Sequence, residues 1–319
     1  MTNSSPVKPH PVRGYLYIAA AALLWGLTAS LGKAVFTRRL ISEAQSPIDP
    51  LILSQTRTTL SWLVLVPILL LFRGRAALAI SRKDFGRTLL LGTLGIAASN
   101  YFYYLAIEKT TVATAIVLQY TAPVWVLLYM LARRLQRPTL RRVSAVLMAV
   151  AGSALAVGVL SQGQIKLDAV GIAAAMAAAF SFSFYNVYGH SLLEAQERWK
   201  VITHTLMGAA LFWMLVNPPW KVFAAHYSGE QWLFLAVFAL LSMLLPFSFY
   251  FAGLQYLDAT RAIVTSCLEP VFAILIAAAF LGEGLRPLQV VGVVVVLTAS
   301  IVGQLPEGDG RARSKTPSS

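Results

Sequence analysis

Long apolar runs divide this chain, and within them apolar and polar residues do not alternate. From about Tyr15 onward, stretches of roughly twenty mostly apolar residues recur, separated by short polar or basic clusters. Only helices and closed barrels satisfy every backbone group inside hydrocarbon. With no period of two in the runs, the spanning elements are helices. The pattern predicts ten, at Gly14–Phe36, Pro50–Phe72, Phe85–Ile107, Thr111–Ala132, Arg141–Leu160, Leu167–Leu192, Trp199–Val216, Gln231–Ala252, Thr260–Leu281 and Pro287–Gln304. The third and fourth are joined only near Glu108 and Lys109, and the eighth and ninth only near Asp258. Links this short make antiparallel neighbours. The expected fold is therefore an all-α integral membrane bundle.

Composition agrees with that reading. Apolar residues make up 57% and charged residues 12%, about half the ~25% of a soluble chain. The net charge of +13 would suit nucleic acid only if the basic residues shared one folded face. They sit instead in clusters between the runs, so the expected partners are a lipid bilayer and a small-molecule solute, with no nucleic acid. Placing the N-terminus in the cytoplasm puts eighteen Lys and Arg on the cytoplasmic side and six on the other, with Lys33 and Arg57 inside spans. That bias predicts both termini cytoplasmic. Residues 1–13 and the basic tail 305–319 are polar and expected to be disordered. The apolar run near Tyr15 is too long for a cleavable signal. Cys267 is the single cysteine; it lies inside a run, and no Cys/His cluster has metal-ligand spacing, so neither metal nor cofactor is expected.

The two halves resemble each other, 14–160 as a first five-helix unit and 167–304 as a second. Gly14 through Lys33 aligns without gaps on Gly171 through His190. Trp62 through Pro67 sits opposite Trp213 through Pro218. Phe102-Tyr103 pairs with Phe249-Tyr250, Ala115-Ile116-Val117 with Ala262-Ile263-Val264, and Pro123-Val124 with Pro270-Val271. Arg137-Pro138 corresponds to Arg286-Pro287 after a two-residue slip. Five spans per half is an odd number, so the halves enter the membrane from opposite sides, as an inverted repeat.

Ten spans in two such halves resemble the EamA-type permeases of the drug/metabolite transporter superfamily. The resemblance is carried by Tyr103-Tyr104-Leu105-Ala106 through Pro123-Val124, by Tyr250 through Pro270-Val271, and by Phe280-Leu281-Gly282-Glu283 followed by Arg286. The first half departs from it, with Arg134-Leu135-Gln136 where Gly-Glu would fall. The resemblance implies a multi-pass protein of the bacterial cytoplasmic membrane. It implies secondary transport, with export of amino acids or similar small metabolites. The aromatic-rich spans look most like the aromatic amino acid exporter branch. A monomer is the expected assembly.

Polar residues inside spans are costly and mark candidate sites. They concentrate in the first, third, fourth, sixth, eighth and ninth spans, whereas the fifth and tenth are Val- and Leu-rich and read as peripheral. Asn100, Tyr103 and Tyr104 share one helix face, as do Trp25 and Thr28, and Phe182, Tyr185 and Tyr188. With Gln119, Tyr250, Ser266 and Glu269 these are the candidate solute-binding residues. Glu269 could carry a proton or pair with a substrate ammonium. Arg57 and His204 read as structurally paired or at a cavity mouth, and Lys33 as reaching for the interface. Pro123 and Pro270, at matching places, are candidate hinges.

No phosphate-binding loop is present. A membrane-embedded enzyme would need convergent catalytic groups, which His10, His190, His204 and His226 do not supply. A channel would want rings of like charge or repeated carbonyl motifs. No enzymatic activity is therefore expected. Drugs, nucleosides or carboxylate metabolites are the alternative solutes.

Overall fold

A computed structural model of the chain describes residues 11–36, 48–158, 168–281 and 284–304. Among these, ten helices are long and apolar enough to span a membrane: α1 (Pro11–Gly32), α2 (Pro50–Arg73), α3 (Arg82–Lys109), α4 (Thr114–Ala132), α5 (Leu140–Val157), α6 (Ala169–Ala195), α7 (Arg198–Val216), α8 (Gly229–Leu254), α9 (Ala259–Phe280) and α10 (Pro287–Gln304). The expected set is present, with ends that differ by a few residues. α1 begins at Pro11, so the end of the predicted tail is helical. α3 starts ahead of its apolar run because the Ser81 hydroxyl accepts the Asp84 N–H at 3.1 Å. α8 starts early on a capping box between Ser228 and Gln231. Capping groups carry helices beyond the hydrocarbon, where apolarity alone cannot see them. Gly282 and Glu283, the Lys33 side chain and most of both tails lie outside the described residues.

From the third span onward, one constant separation along the chain relates the second half to the first. It carries the caps Ser81 and Thr111 onto the caps Ser228 and Asp258. It carries α5 onto α10 end for end. The slip expected around Pro138 and Pro287 is not needed: Pro138 precedes the cap Thr139, whereas Pro287 is itself the first helical residue. The same separation relates irregularities that the sequence does not announce. α3 is wound as a π-helix over Leu91–Ala97, and α8 over Leu240–Leu244. α4 consists of Val112–Gln119 and Ala122–Ala132, interrupted at Tyr120; α9 consists of Ala259–Ser266 and Leu268–Leu281, interrupted at Cys267. Pro123 and Pro270 lie in the first turn of the second pieces, where a missing N–H costs nothing.

Packing follows the same exchange. α1 packs on α8 and α9, while α6 packs on α3 and α4; α2 packs on α7 and α8, while α7 packs on α2 and α3. α5 and α10 pack on each other. Small residues make these approaches close, as expected where lipid offers no hydrophobic drive between helices. A Cβ on Gly292 would lie 2.3 Å from the Ala156 nitrogen and 2.7 Å from the Gly152 oxygen. Gly14 lies against Leu257, and its aligned partner Gly171 lies against Thr110.

Candidate functional site

The interruptions in α4 and α9 bring ionisable and hydroxyl groups together inside the bundle. Glu269 occupies the first turn of Leu268–Leu281, at a half-helix N-terminus, where the backbone dipole is positive. It lies ~15 Å along α9 from Ala259, near the middle of the span. The Tyr120 side chain, at the α4 interruption, lies near its carboxylate. The Tyr103 hydroxyl of α3 lies in the electrostatic field of Glu269, of Arg57 on α2 and of Tyr104. The rings of Tyr103 and Tyr104 are 5.8 Å apart.

Arg57 is anchored on one side. Its Nη2 donates to Asn100 Oδ1, and the Asn100 amide donates to the Ile96 carbonyl at 2.8 Å. Its Nε is buried with no hydrogen-bond partner. Arg57 and Glu269 interact through space, yet no described carboxylate pairs with Arg57 in a salt bridge. Arg57, Asn100, Tyr103, Tyr104, Gln119, Tyr120 and Glu269 are all partly exposed. By helix rise Arg57 and Tyr103 lie ~10 Å from the nearer ends of their spans. These side chains thus keep accessible surface deep within their spans.

An aromatic seam adjoins this group. Trp25 meets the rings of Phe247 and Tyr250, each at 5.4 Å. Tyr185 stacks on Phe182 at 5.9 Å and contacts Phe247, Tyr250 and Phe251. The neighbouring Gly26 ties the seam to the site, because a Cβ there would lie 2.9 Å from the Glu269 carbonyl. Its aligned partner is Ser183, whose hydroxyl donates to the Ala122 carbonyl at 3.1 Å.

Unlike the first group, Tyr185, Tyr250 and Ser266 are buried. The Tyr250 hydroxyl donates to Asn186 and lies by Ser266, which itself donates to the Ile263 carbonyl at 2.8 Å. Tyr103 and Tyr250 are equivalent in the two halves, yet one keeps accessible surface and the other is fully buried. Asn186→Ala leaves the Tyr250 hydroxyl without its acceptor, and about 1–3 kcal/mol of stability should be lost. A melting curve in detergent measures this; an unchanged midpoint would contradict the assigned bond.

Other side chains are placed by their own contacts. Thr28 bonds to the Leu24 and Trp25 carbonyls of its own helix, at 2.9 and 3.1 Å. Gln119 Nε2 reaches the Ser99 hydroxyl at 3.4 Å. Tyr188 sits toward the Arg82 end of the bundle. Its hydroxyl accepts from Arg87 Nε at 3.2 Å, and Arg87 also binds Asp84 at 3.2 Å. Arg87 is ~24 Å along α3 from Tyr103, so Tyr188 does not join the central group. His204 is held by the Lys200 carbonyl at 2.8 Å and by the Phe85 ring, which is a structural pairing. Sequence reasoning left Arg57 and Tyr120 out of the site. Their signal was present: Arg57 is a charge inside a span, and Tyr120 falls just before the proline that its half shares with the other.

Ten apolar helices around a partly open group of charges and hydroxyls define a multi-pass membrane protein with an internal polar site. The profile of the EamA-like transporter family matches residues 12–158 and again residues 169–302. The chain belongs to that family, and is a membrane transporter. Among characterised or named relatives, the threonine/homoserine exporter RhtA of Escherichia coli is 26% identical, over 90% of this chain and 88% of its own length. The uncharacterized inner membrane transporter YicL of Salmonella typhimurium is 24% identical, over 95% and 98% respectively. A solved crystal structure with 20% identity superposes with a TM-score of 0.73, covering 91% of this chain and 97% of its own. At that identity the likeness concerns the fold.

Proposed function

We propose that the protein exports amino acids, aromatic or otherwise hydrophobic, or similar small metabolites across the cytoplasmic (inner) membrane. Two halves of opposite orientation, close to residues 14–160 and 167–304, expose one central site to each side in turn. Both termini face the cytoplasm, and the working unit is a monomer. The observation that carries this reading is the recurrence of caps, π-turns and helix interruptions at one separation, with the opposite charges Arg57 and Glu269 deep in their spans. The family match supports transport, and the exporter RhtA supports a small polar metabolite as the solute.

Proteoliposome uptake with a panel of labelled amino acids, with and without a pH gradient, tests it. Saturable flux of an amino acid is the expected result, accelerated by the gradient if Glu269 carries a proton. Saturable flux only of a nucleoside, a drug cation or a dicarboxylate would replace the amino acid with that solute. No saturable flux of any solute would remove the reading.

A further inference from the structure

We propose that Arg57 and Glu269 are the two ends of a zwitterion site, Arg57 taking the carboxylate and Glu269 the ammonium of an α-amino acid. This rests on the transport reading above and adds the residues that read the solute's head group.

Two opposite charges buried in one space usually meet, because each otherwise bears its desolvation alone. Here they do not. Arg57 is turned to Asn100, and Asn100 is fixed by the Ile96 carbonyl. Glu269 lies near Tyr120, and among the described residues no cation pairs with it in a salt bridge. Arg57 is therefore held by a neutral partner, Glu269 has only neutral hydroxyls beside it, and Tyr103 lies near both charges. A guanidinium has five N–H donors. Asn100 occupies one, and Nε is buried without a partner. A carboxylate is the acceptor that matches such a fork, through two parallel hydrogen bonds. An ammonium is the donor that matches a carboxylate without a cationic partner.

The net charge of the site then selects the solute. A monoanion would satisfy Arg57 while adding repulsion at Glu269, and a monocation would do the reverse. A zwitterion neutralises both ends and leaves the loaded site with no added charge, which suits passage through low dielectric. The aromatic seam beginning at Trp25 adjoins α9 at Glu269 through Gly26 and offers the solute's side chain an apolar wall. Head group and side chain are thereby read by different elements.

Competition binding to the purified protein in detergent tests the assignment, with labelled phenylalanine and labelled threonine as probes. The competitors are the parent amino acid, its methyl ester, which lacks the carboxylate, and the deaminated acid, which lacks the ammonium. With wild-type protein each analogue should compete at least about tenfold more weakly than the parent. Arg57→Gln should erase the preference over the ester and keep that over the deaminated acid. Glu269→Gln should do the opposite, and Arg57→Lys should retain part of the first preference. Analogues that compete as well as the parent would overturn the assignment and leave amino acid transport standing. Variants that weaken all competitors equally would also overturn it. Should a variant fail to elute as a folded monodisperse species, the analogue series on wild-type protein decides alone. Binding of neither probe would remove the amino acid reading itself.

Discussion

Glu269→Gln is expected to lower saturable flux by about ten- to a hundredfold while the protein still inserts and folds. The magnitude follows from the bond at stake. A hydrogen bond between charged partners contributes roughly 1.5–3 kcal/mol, and each ~1.4 kcal/mol is a factor of ten. Gln is close to isosteric with Glu, so the packing around the α9 interruption is kept. What is lost is the negative charge alone. Flux in proteoliposomes, normalised to inserted protein, measures this. Wild-type flux from the variant would take Glu269 out of the transport machinery, whatever its partners in the structure.

Gly92→Val is expected to be the most destabilising of the simple packing changes, by about 3 kcal/mol or more. A Cβ on Gly92 would lie 2.0 Å from the Thr205 carbonyl oxygen and 2.8 Å from the Ala209 nitrogen. Both are backbone atoms of α7, so no side-chain rotation relieves the overlap and α3 must move away. Gly92 also lies in the π-turn of α3, where the backbone is already re-phased, and a local adjustment is correspondingly less available. Gly86, with nothing within 4 Å of its Cβ position, is the internal control. Gly86→Ala should leave the melting temperature unchanged or slightly raised, since Ala is the better helix former. Equal melting temperatures for Gly92→Val and wild type would contradict the close α3–α7 contact.

Much of the architecture was legible in the sequence because lipid imposes one simple demand. A run of apolar residues long enough to cross, bounded by basic clusters, leaves few alternatives to a spanning helix, and all ten were visible that way. The site was legible only in part. Asn100, Tyr103 and Tyr104, placed on one helix face by their spacing, keep accessible surface at mid-span, as does Glu269. Tyr250 has the same residue type and the same place in its half as Tyr103, yet it is sealed by Asn186 and the seam. Nothing local distinguishes the two, because the difference lies in neighbours from other helices. Tyr188 shares a helix face with Tyr185, but a face runs the whole length of a helix and says nothing about depth.

Arg57 read as a charge seeking a structural partner. Asn100 is such a partner, but a neutral one, and that leaves the charge itself uncompensated. The π-turns had no sequence signal at all: Leu91-Gly92-Thr93-Leu94-Gly95-Ile96-Ala97 has the composition of any membrane helix.

The central claim is that the two halves face opposite ways. Arg82 and Gly229 occupy equivalent, exposed positions at the starts of α3 and α8, so a single labelling experiment separates the alternatives. In a Cys267→Ala background, which removes the buried native thiol, Arg82→Cys and Gly229→Cys are each treated with a membrane-impermeant maleimide. The inverted arrangement predicts that Gly229→Cys reacts in intact cells and Arg82→Cys only after permeabilisation. Reaction of both under the same condition would place equivalent residues on one face and contradict the account.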